Sequence, residues 1–192
     1  MPRVDSEEPD LIVVGEKAAL GPLRPALAAT YARWANQIDV RRGLDRLGVA
    51  TPDSEGKWVE NANKDGAERE PKRVEFTVYD RTDTEPVGTA GLFGIEHIHG
   101  LAKFGIAIGE RRGQGLGTEA TRLVLDYGFH VLHLHNVLLE VLDWNAAALA
   151  AYERAGFRRI GVRRRAVLSR GRRVDVVLMD AVPEDFGASV LG

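Results

Sequence analysis

The sequence has 192 residues, a net charge of −2 and no cysteine. Its length and its 44% content of apolar residues are sufficient for one domain with a substantial core. The lack of cysteine excludes disulfides, thiolate nucleophiles and Cys-ligated zinc, and the near-neutral charge disfavours nucleic acid and anionic membranes as partners. No apolar run approaches the ~20 residues of a membrane span, and the acidic N-terminus does not resemble a signal peptide. We therefore expect a single cytoplasmic domain over residues 1–192, with residues 1–9 as a flexible tail.

The N-terminal quarter predicts one strand and two helices. The strand is the apolar run Leu11–Val14. Apolar residues at helical spacing then give a helix one buried face, formed by Leu27, Tyr31, Trp34 and Ile38. A second, short helix is expected at Arg41–Leu47. Trp34 and Asn36 are candidates for a substrate site, although a tryptophan at helical spacing is typical of a core position.

The most polar segment, Thr51–Lys72, predicts a short helix followed by a mobile loop. Ser54 is the expected N-cap of the helix, since a serine hydroxyl accepts a hydrogen bond from a free N–H group of the first turn. A narrow apolar stripe behind this cap is formed by Trp58, Val59 and Ala62. The loop is expected around Asp65–Gly66.

Regular alternation of apolar and polar residues begins at Val74 and predicts a half-buried strand. Its buried side is formed by Val74, Phe76 and Val78, and its other side by Glu75, Thr77 and Tyr79. A polar turn at Asp80–Glu85 leads to a second, antiparallel strand at Val87–Ile95. The loop Glu96–Gly100 follows.

The segment Gly105–Gly117 predicts a strand, a glycine-rich turn and the start of a helix. A β-branched run ends at Gly109, glycines recur at 113, 115 and 117, and the apolar period becomes helical from Leu116. Glycines allow the backbone to approach a ligand closely, and the N–H groups of a helix N-terminus attract a phosphate or pyrophosphate. The spacing is not that of a Rossmann fingerprint, and the lysine of a Walker loop is missing. A glycine turn without any ligand is the alternative at this point.

The C-terminal part predicts a strand, a helix and a final hairpin. The nearly continuous apolar run Val137–Leu142 is typical of a strand that is covered on both faces. Asn145 caps the next helix, and strands from Phe157 and at Val174–Met179 flank a Ser169-Arg170-Gly171 turn. The crossover from the central strand through a helix favours parallel pairing of that strand with the apolar run. We therefore expect a mixed, mostly antiparallel sheet with helices on both faces.

Two motifs together resemble the signature of the GNAT superfamily of N-acetyltransferases. The first, Arg112-Gly113-Gln114-Gly115-Leu116-Gly117, is similar to the loop that binds the pyrophosphate of coenzyme A in that family. The second follows the next strand and combines Asn145, Ala148, Tyr152 and Gly156-Phe157. The resemblance extends over roughly residues 76–186 and is closest to the branch of ribosomal-protein N-terminal alanine acetyltransferases and spermidine acetyltransferases. It implies an α/β (α+β) fold with a splayed parallel pair of central strands.

The resemblance also implies acetyl-CoA as the acyl donor and a primary amine as the acceptor, in one direct transfer. Backbone N–H groups of the glycine loop then hold the pyrophosphate, and Tyr152 donates a proton to the departing CoA thiolate. An N–H group near Ile106 or Ala107 polarises the thioester oxygen, and Asn145 binds the pantetheine arm. The residues expected to bind the cofactor are Ile106, Ala107, Ile108, Arg111, Arg112, Gly113, Gln114, Gly115, Leu116, Gly117, Thr118, Asn145, Ala148 and Tyr152.

On the acceptor side the sequence leaves several alternatives open. The amine can belong to a protein N-terminus, a polyamine, an amino sugar or another small molecule, and a homodimer is implied by family habit. A general base is expected, but Lys103 stands where related sequences often carry glutamate. The lysine puts a base at that position in doubt, so the candidates for the base are Glu75, Glu96, His97 and Asp143. The expected substrate-binding residues are Trp34, Asn36, Glu75 and Glu96. A catalytically weak CoA-binding or regulatory protein is the alternative to an enzyme.

Two further patterns each have a functional and a structural interpretation. His97-x-His99 and His133-x-His135 have a spacing found in metal sites, but without cysteine or a suitable carboxylate partner we expect no metal. The arginines between residues 163 and 173 form either a basic surface for an acidic substrate or nucleic acid, or a solvated hairpin. Because the overall charge is not basic, we favour the solvated hairpin and expect neither nucleic acid nor a membrane as partner.

Overall fold

A computed structural model describes residues 8–43, 48–169, 171–187 and 189–191 of the chain. Within these residues, eight strands form one mixed sheet. The strands are β1 Val13–Val14, β2 Ala18–Pro22, β3 Arg73–Asp80, β4 Pro86–Glu96, β5 Leu101–Ile108, β6 Asn136–Leu142, β7 Arg158–Ser169 and β8 Arg172–Ala181. Their order across the sheet is β1-β2-β3-β4-β5-β6-β8-β7, so the two halves of the chain meet where β5 lies beside β6.

Helices cover both faces of this sheet, as predicted. The helices of the described residues are α1 Ala28–Ala35, α2 Ile38–Gly43, α3 Pro52–Gly66, α4 Leu116–His130, α5 Ala146–Ala155 and α6 Pro183–Phe186, and a 3-10 turn at Pro25–Leu27 precedes α1. Helices α4 and α5 pack on the face that carries Phe76, Leu92 and Phe104. On the opposite face, α1 and α3 pack around Tyr31 and Val59.

Strands β5 and β6 pair in parallel only near their starts and then separate. Their register runs from Leu101↔Asn136 to Lys103↔Leu138. Farther along, β5 stays paired to β4 as far as Ile108, and β6 stays paired to β8 as far as Leu142. All other pairings of the described strands are antiparallel. The splayed parallel pair is thereby confirmed, and it leaves a wedge-shaped opening along one side of β5.

The N-terminal strand prediction is wrong in two respects. Of the expected strand Leu11–Val14, only Val13–Val14 is strand, paired with β2. Strand β2 itself was not predicted, because its sequence Ala-Ala-Leu-Gly-Pro has little intrinsic preference for strand. It forms because its first four residues are buried and it pairs along its whole length with β3.

The prediction of one helix with a buried face through Ile38 is also wrong. Helix α1 ends at Ala35, and Ile38, which is 59% exposed, begins α2. Asn36 lies between the two helices, where its side chain donates to the Ala50 carbonyl (2.8 Å) and accepts from the Ala50 N–H (2.9 Å). The predicted helix Arg41–Leu47 overlaps α2 at its start, and its residues 44–47 lie outside the described residues.

Helix α3 begins earlier and ends later than predicted. Thr51, not Ser54, is its N-cap: the Thr51 hydroxyl accepts from the Ser54 N–H (3.1 Å), and Ser54 Oγ accepts from the Thr51 N–H (2.9 Å). This reciprocal capping box places Ser54 inside the first turn. The expected loop around Asp65–Gly66 is wrong, because the helix continues to Gly66. Its polar sequence is accommodated because only a narrow stripe packs against α1.

Strand β3 is covered on both faces, so the prediction that it is half-buried is wrong. Thr77 and Tyr79 are as completely buried as Phe76 and Val78. The cover over Thr77 is α1, whose Tyr31 hydroxyl lies 2.6 Å from the Thr77 hydroxyl. Alternation alone could not show this, because a helix can bury the polar side of a strand when hydrogen bonds are satisfied across it.

The C-terminal hairpin of β7 and β8 forms as predicted, with Arg170 of its turn outside the described residues. The other hairpin arginines are exposed, namely Arg163, Arg164, Arg165, Arg172 and Arg173. Such exposure is expected both of a solvated hairpin and of a basic surface, so our preference for the solvated hairpin stays a prediction. None of the described helices is long and apolar enough to cross a membrane.

Candidate active site

A cavity of about 690 Å³, here called the loop cavity, lies in the wedge between β5 and β6. The second half of β5, the glycine loop after it, the end of β6 and one side of α5 form its walls. Twelve of the expected cofactor residues line it, namely Ile106, Ala107, Ile108, Arg111, Arg112, Gly113, Gly115, Gly117, Thr118, Asn145, Ala148 and Tyr152. Gln114 and Leu116 do not line it, and Leu116 packs into the core instead.

The glycine loop combines a left-handed backbone with the N-terminus of α4 in the wall of the loop cavity. Gly113 and Gly115 have φ angles of +82° and +86°, in the left-handed region that favours glycine. Gly115 is the N-cap of α4 and brings no side chain to cap the first turn. The free N–H groups of that turn and the positive end of the helix dipole therefore suit a bound phosphate.

Arg111, at the start of the loop, is held by two carboxylates. Its Nη1 lies 2.6 Å from Asp80 Oδ2, and its Nη2 lies 2.6 Å from Asp83 Oδ2. Hydrogen bonds from the Thr82 N–H and from Arg111 hold the pKa of Asp80 down to about 2. The charge of Arg111 is therefore already compensated, and the guanidinium joins the loop to the turn between β3 and β4.

Arg112 and Lys17 are the other cations at the loop. Arg112 donates from Nε to the Ile108 carbonyl (2.7 Å) and from Nη2 to Gln37 Oε1 (2.6 Å). Lys17 Nζ lies 3.7 Å from the position that a β-carbon on Gly115 would occupy. Sequence reasoning missed Lys17, because no local motif joins the turn between β1 and β2 to the glycine loop.

Glu119 of α4 fixes the turn that carries Lys17. Its carboxylate accepts the backbone N–H groups of Glu16, Lys17 and Ala18 at 2.5, 2.8 and 3.2 Å. A carboxylate with three such hydrogen bonds holds the turn firmly in place. The Lys17 ammonium is thus presented beside the first turn of α4.

Asn145 and the residues after it shape the far wall of the loop cavity. The Asn145 side-chain oxygen caps α5 by accepting from the Ala148 N–H (3.2 Å), so its amide group is the part left to bind a ligand. Small side chains on the next turns leave the cavity wide, namely Ala147, Ala148, Ala150 and Ala151. Trp144, which sequence reasoning did not single out, also lines the cavity.

Tyr152 of α5 lines the loop cavity beside β5. Its ring packs against Phe104 and Phe157, with ring centroids 6.1 and 6.0 Å apart. Burial raises the pKa of Tyr152 to about 12. The hydroxyl therefore keeps its proton at neutral pH and can donate it, or a hydrogen bond, to a group in the cavity.

A second cavity of about 660 Å³, here called the aromatic cavity, reaches β5 between α1 and α3. Four aromatic rings and two carboxylates line it, from Tyr31, Trp34, Trp58, Phe93, Glu55 and Glu75. Both cavities are lined by Val40, Ile106 and Ala107, so they meet at β5. Aromatic faces and buried carboxylates together favour a cationic ligand.

The two acids of the aromatic cavity lie on different elements. Burial raises the pKa of Glu75, against the opposing effects of Arg73, with Nη1 at 3.6 Å, and of the hydrogen bond from Trp58 Nε1 at 3.2 Å. Glu55 of α3 is only 3% exposed. Sequence reasoning missed Glu55, because nothing separates it from the other acidic residues of a polar helix.

The structure divides the four expected acceptor-binding residues into two pairs. Trp34 and Glu75 line the aromatic cavity. Asn36 and Glu96 line neither cavity, because Asn36 is bonded to the backbone of Ala50 and Glu96 is exposed at the end of β4.

The remaining candidates for a base, His97 and Asp143, do not line either cavity. A ring nitrogen of His97 lies 2.9 Å from the Pro71 carbonyl oxygen. Asp143 and Lys103 are exposed and line neither cavity. No group of three or more His, Asp or Glu side chains that could hold a metal ion occurs in the part of the chain that the structure describes.

Known proteins share both the sequence and the architecture of this site region. Residues 18–158 match the family model described as acetyltransferase (GNAT) domain. Spermidine N(1)-acetyltransferase of Escherichia coli (strain K12) is 42% identical over 76 residues, which are 39% of this chain and 41% of that protein. The chain thus spans less than half the length of this curated relative.

Solved structures extend the likeness to nearly the whole chain. Spermidine N-acetyltransferase from Vibrio cholerae, in complex with CoA and spermine, has a TM-score of 0.77 at 25% identity, over 88% of this chain and 98% of that one. Ribosomal-protein-S5-alanine acetyltransferase from Vibrio fischeri has a TM-score of 0.79 at 17% identity, over 93% of this chain and 100% of that one. The second likeness is one of fold alone.

Proposed function

Because this chain belongs to the GNAT family of acetyltransferases, we propose that it transfers the acetyl group of acetyl-CoA to a primary amine. The observation that carries this proposal is the meeting of the loop cavity and the aromatic cavity at Val40, Ile106 and Ala107. A thioester held in the loop cavity and an amine held in the aromatic cavity come together at β5. Direct transfer requires this juxtaposition of donor and acceptor.

Acetyl-CoA binds in the loop cavity through the backbone more than through side chains. The N–H groups at the start of α4 hold the pyrophosphate, and Lys17 adds a positive charge beside Gly115. The pantetheine arm lies along the open side of β5 and pairs with it as an added strand would. The Asn145 amide group donates to this arm.

The reaction forms one C–N bond and breaks one C–S bond. The amine nitrogen attacks the thioester carbonyl carbon, and a backbone N–H near Ile106 or Ala107 stabilises the oxyanion that develops. As the C–S bond breaks, the sulfur accepts a hydrogen bond from the Tyr152 hydroxyl, and the CoA thiolate that forms is then protonated from solvent. The proton that the amine loses passes to Glu75, directly or through a water molecule.

Glu75 suits the role of base because of its place and its environment. It lines the aromatic cavity, and burial makes its carboxylate a stronger base than an exposed glutamate. Of the four base candidates that the sequence offered, it is the one in a cavity wall. Glu55, on the opposing helix, adds negative charge that favours a cationic amine.

The acceptor that fits the aromatic cavity best is an aliphatic amine with a second positive charge, such as spermidine. One ammonium can lose its proton to Glu75, while the second lies against the aromatic faces and Glu55. A protein N-terminus is the other candidate, since the two sequence motifs also resemble those of the ribosomal-protein N-terminal alanine acetyltransferases. We also propose that the protein is a homodimer, as the family resemblance implies. Light scattering should then give twice the mass of one chain.

Two measurements test the proposed function in sequence. Calorimetric titration should show micromolar binding of acetyl-CoA, with no binding of NAD or ATP. Thiol release should then be measured with three amines, namely spermidine, a hexapeptide with an N-terminal alanine and an amino sugar. Absence of acetyl-CoA binding would refute the assignment of the loop cavity, whereas binding without turnover of any amine would favour a catalytically weak CoA-binding or regulatory protein.

A further inference from the structure

Trp34, a wall of the aromatic cavity, is held in place from the glycine loop. Its Nε1–H donates to Oε1 of Glu110, at a distance of 3.1 Å. Only 3% of Trp34 is exposed, whereas 43% of the Glu110 side chain is, so Glu110 is the partner that stands between the indole N–H and solvent. Glu110 lies between the end of β5 and the loop glycines and thus joins a wall of the aromatic cavity to the loop.

Gly109, the residue before Glu110, packs directly against the same indole. A β-carbon on Gly109 would lie 2.2 Å from Cγ of Trp34. Gln37, just beyond the end of α1, donates from Nε2 to the Gly109 carbonyl at 3.0 Å. The end of α1 and the start of the glycine loop therefore form one packed unit around the Trp34 ring.

We propose that Glu110 is a positioning residue for the acceptor amine, because it fixes the Trp34 indole as a wall of the aromatic cavity. This inference rests on the proposed function of the two cavities. Glu110 itself lines neither cavity, so its effect on the amine passes through Trp34. It should therefore influence the affinity for the amine and leave the affinity for acetyl-CoA nearly unchanged.

Arg33 offers a matched control. Its Nη2 also binds Glu110 Oε1, but 63% of the Arg33 side chain is exposed, so this ion pair contributes little. Arg33→Ala removes the ion pair and retains the bond from Trp34. Glu110→Gln retains an oxygen acceptor for the indole, whereas Glu110→Ala removes it.

The test compares these three variants with the wild type in steady-state acetylation and in calorimetric binding of acetyl-CoA. The acceptor in these assays is spermidine, or the hexapeptide with an N-terminal alanine if the wild type acetylates that peptide instead. We expect Glu110→Ala to raise the amine KM about tenfold, as one lost hydrogen bond of a buried donor does, with the acetyl-CoA Kd within about twofold. Arg33→Ala and Glu110→Gln should stay within about threefold of wild type in both quantities.

The indole resonances in ¹⁵N NMR spectra report the hydrogen bond itself. Exchange of the Trp34 Nε1–H with water should accelerate in Glu110→Ala and stay near the wild-type rate in Arg33→Ala and Glu110→Gln. Melting temperatures and unchanged acetyl-CoA binding establish that each variant is folded. An unchanged amine KM in Glu110→Ala, or an equal loss of acetyl-CoA affinity, would overturn the inference and leave the proposed function standing. A wild-type protein that acetylates none of the three amines, namely spermidine, the hexapeptide and the amino sugar, would refute the proposed function, and the inference with it.

Discussion

Replacing Tyr152 with phenylalanine tests the departure of the CoA sulfur. The variant lacks one hydroxyl and retains the ring contacts with Phe104 and Phe157, so the cavity should keep its shape. The pKa of Tyr152 is about 12, whereas that of an ordinary thiol is about 8.5. Complete proton transfer from the phenol to a free thiolate is therefore uphill by roughly 5 kcal/mol, at about 1.4 kcal/mol for each pKa unit.

The main contribution of the Tyr152 hydroxyl is therefore a hydrogen bond to the sulfur as negative charge develops on it. A hydrogen bond to a charged group contributes about 1.5–3 kcal/mol. We expect Tyr152→Phe to lower kcat by about 10- to 150-fold, with acetyl-CoA Kd nearly unchanged. Thiol release at saturating substrate measures the first quantity, and calorimetry measures the second.

Tyr127→Phe is the matched control for this experiment. Tyr127 lies on α4, packs against Phe76 and lines neither cavity, so its loss of a hydroxyl should leave kcat unchanged. A kcat of Tyr152→Phe within about threefold of wild type would remove Tyr152 from the chemical step. A large loss of acetyl-CoA affinity would show that the hydroxyl serves binding instead.

Three further variants test other parts of the site. Glu75→Gln should lower kcat/KM by about 10²- to 10⁴-fold. In the wild type, kcat/KM should fall as the pH decreases, with a midpoint above pH 4.5, the ordinary pKa of glutamate, because burial raises the pKa of Glu75. Wild-type rates in Glu75→Gln would exclude it as the base. Lys17→Ala should weaken acetyl-CoA binding about three- to tenfold at low salt and less at high salt. The control Lys57→Ala, on the exposed surface of α3, should leave this affinity unchanged. An equal loss of acetyl-CoA affinity in both variants would argue against a specific contact of Lys17. The pKa of Asp80, about 2, lies below the ordinary aspartate value of 3.8. The ionised Asp80 therefore stabilises the folded state fully above about pH 4, and this stabilisation is lost as the pH falls toward 2. In denaturant unfolding, the free energy of unfolding of Asp80→Asn should fall less between about pH 4 and pH 2 than that of the wild type. The same pH dependence in both proteins would contradict the stabilisation of the carboxylate by Thr82 and Arg111.

The central part of the fold was predictable because its signals are local. Residues close together in the chain give the glycine turn at 113–117, the helix period from Leu116 and the apolar run Val137–Leu142. A crossover connection through one helix then favours parallel pairing of β5 and β6, as observed. The caps of α5, at Asn145 and Gly156, follow from equally local chemistry.

Other elements escaped prediction because tertiary contacts override local preference. The sequence of β2 forms a strand only beside β3, and the polar helix α3 is longer than its composition suggests because it packs on α1. The predicted N-cap of α3 was three residues too late, because Thr51 and Ser54 are both good caps. The reciprocal hydrogen bonds between them show that Thr51 stands at the start of the helix.

By itself, the sequence determined the glycine loop, the start of α4 and the position of Tyr152 on a helix capped by Asn145, because each arises within a short stretch of backbone. Only the tertiary structure decided the aromatic cavity. Trp34, Glu55, Glu75 and Phe93 lie on α1, α3, β3 and β4, and packing alone brings them together. The same is true of Lys17, whose place beside Gly115 depends on Glu119. Contacts between distant segments depend on how the whole core packs, and no short pattern in the chain records that packing.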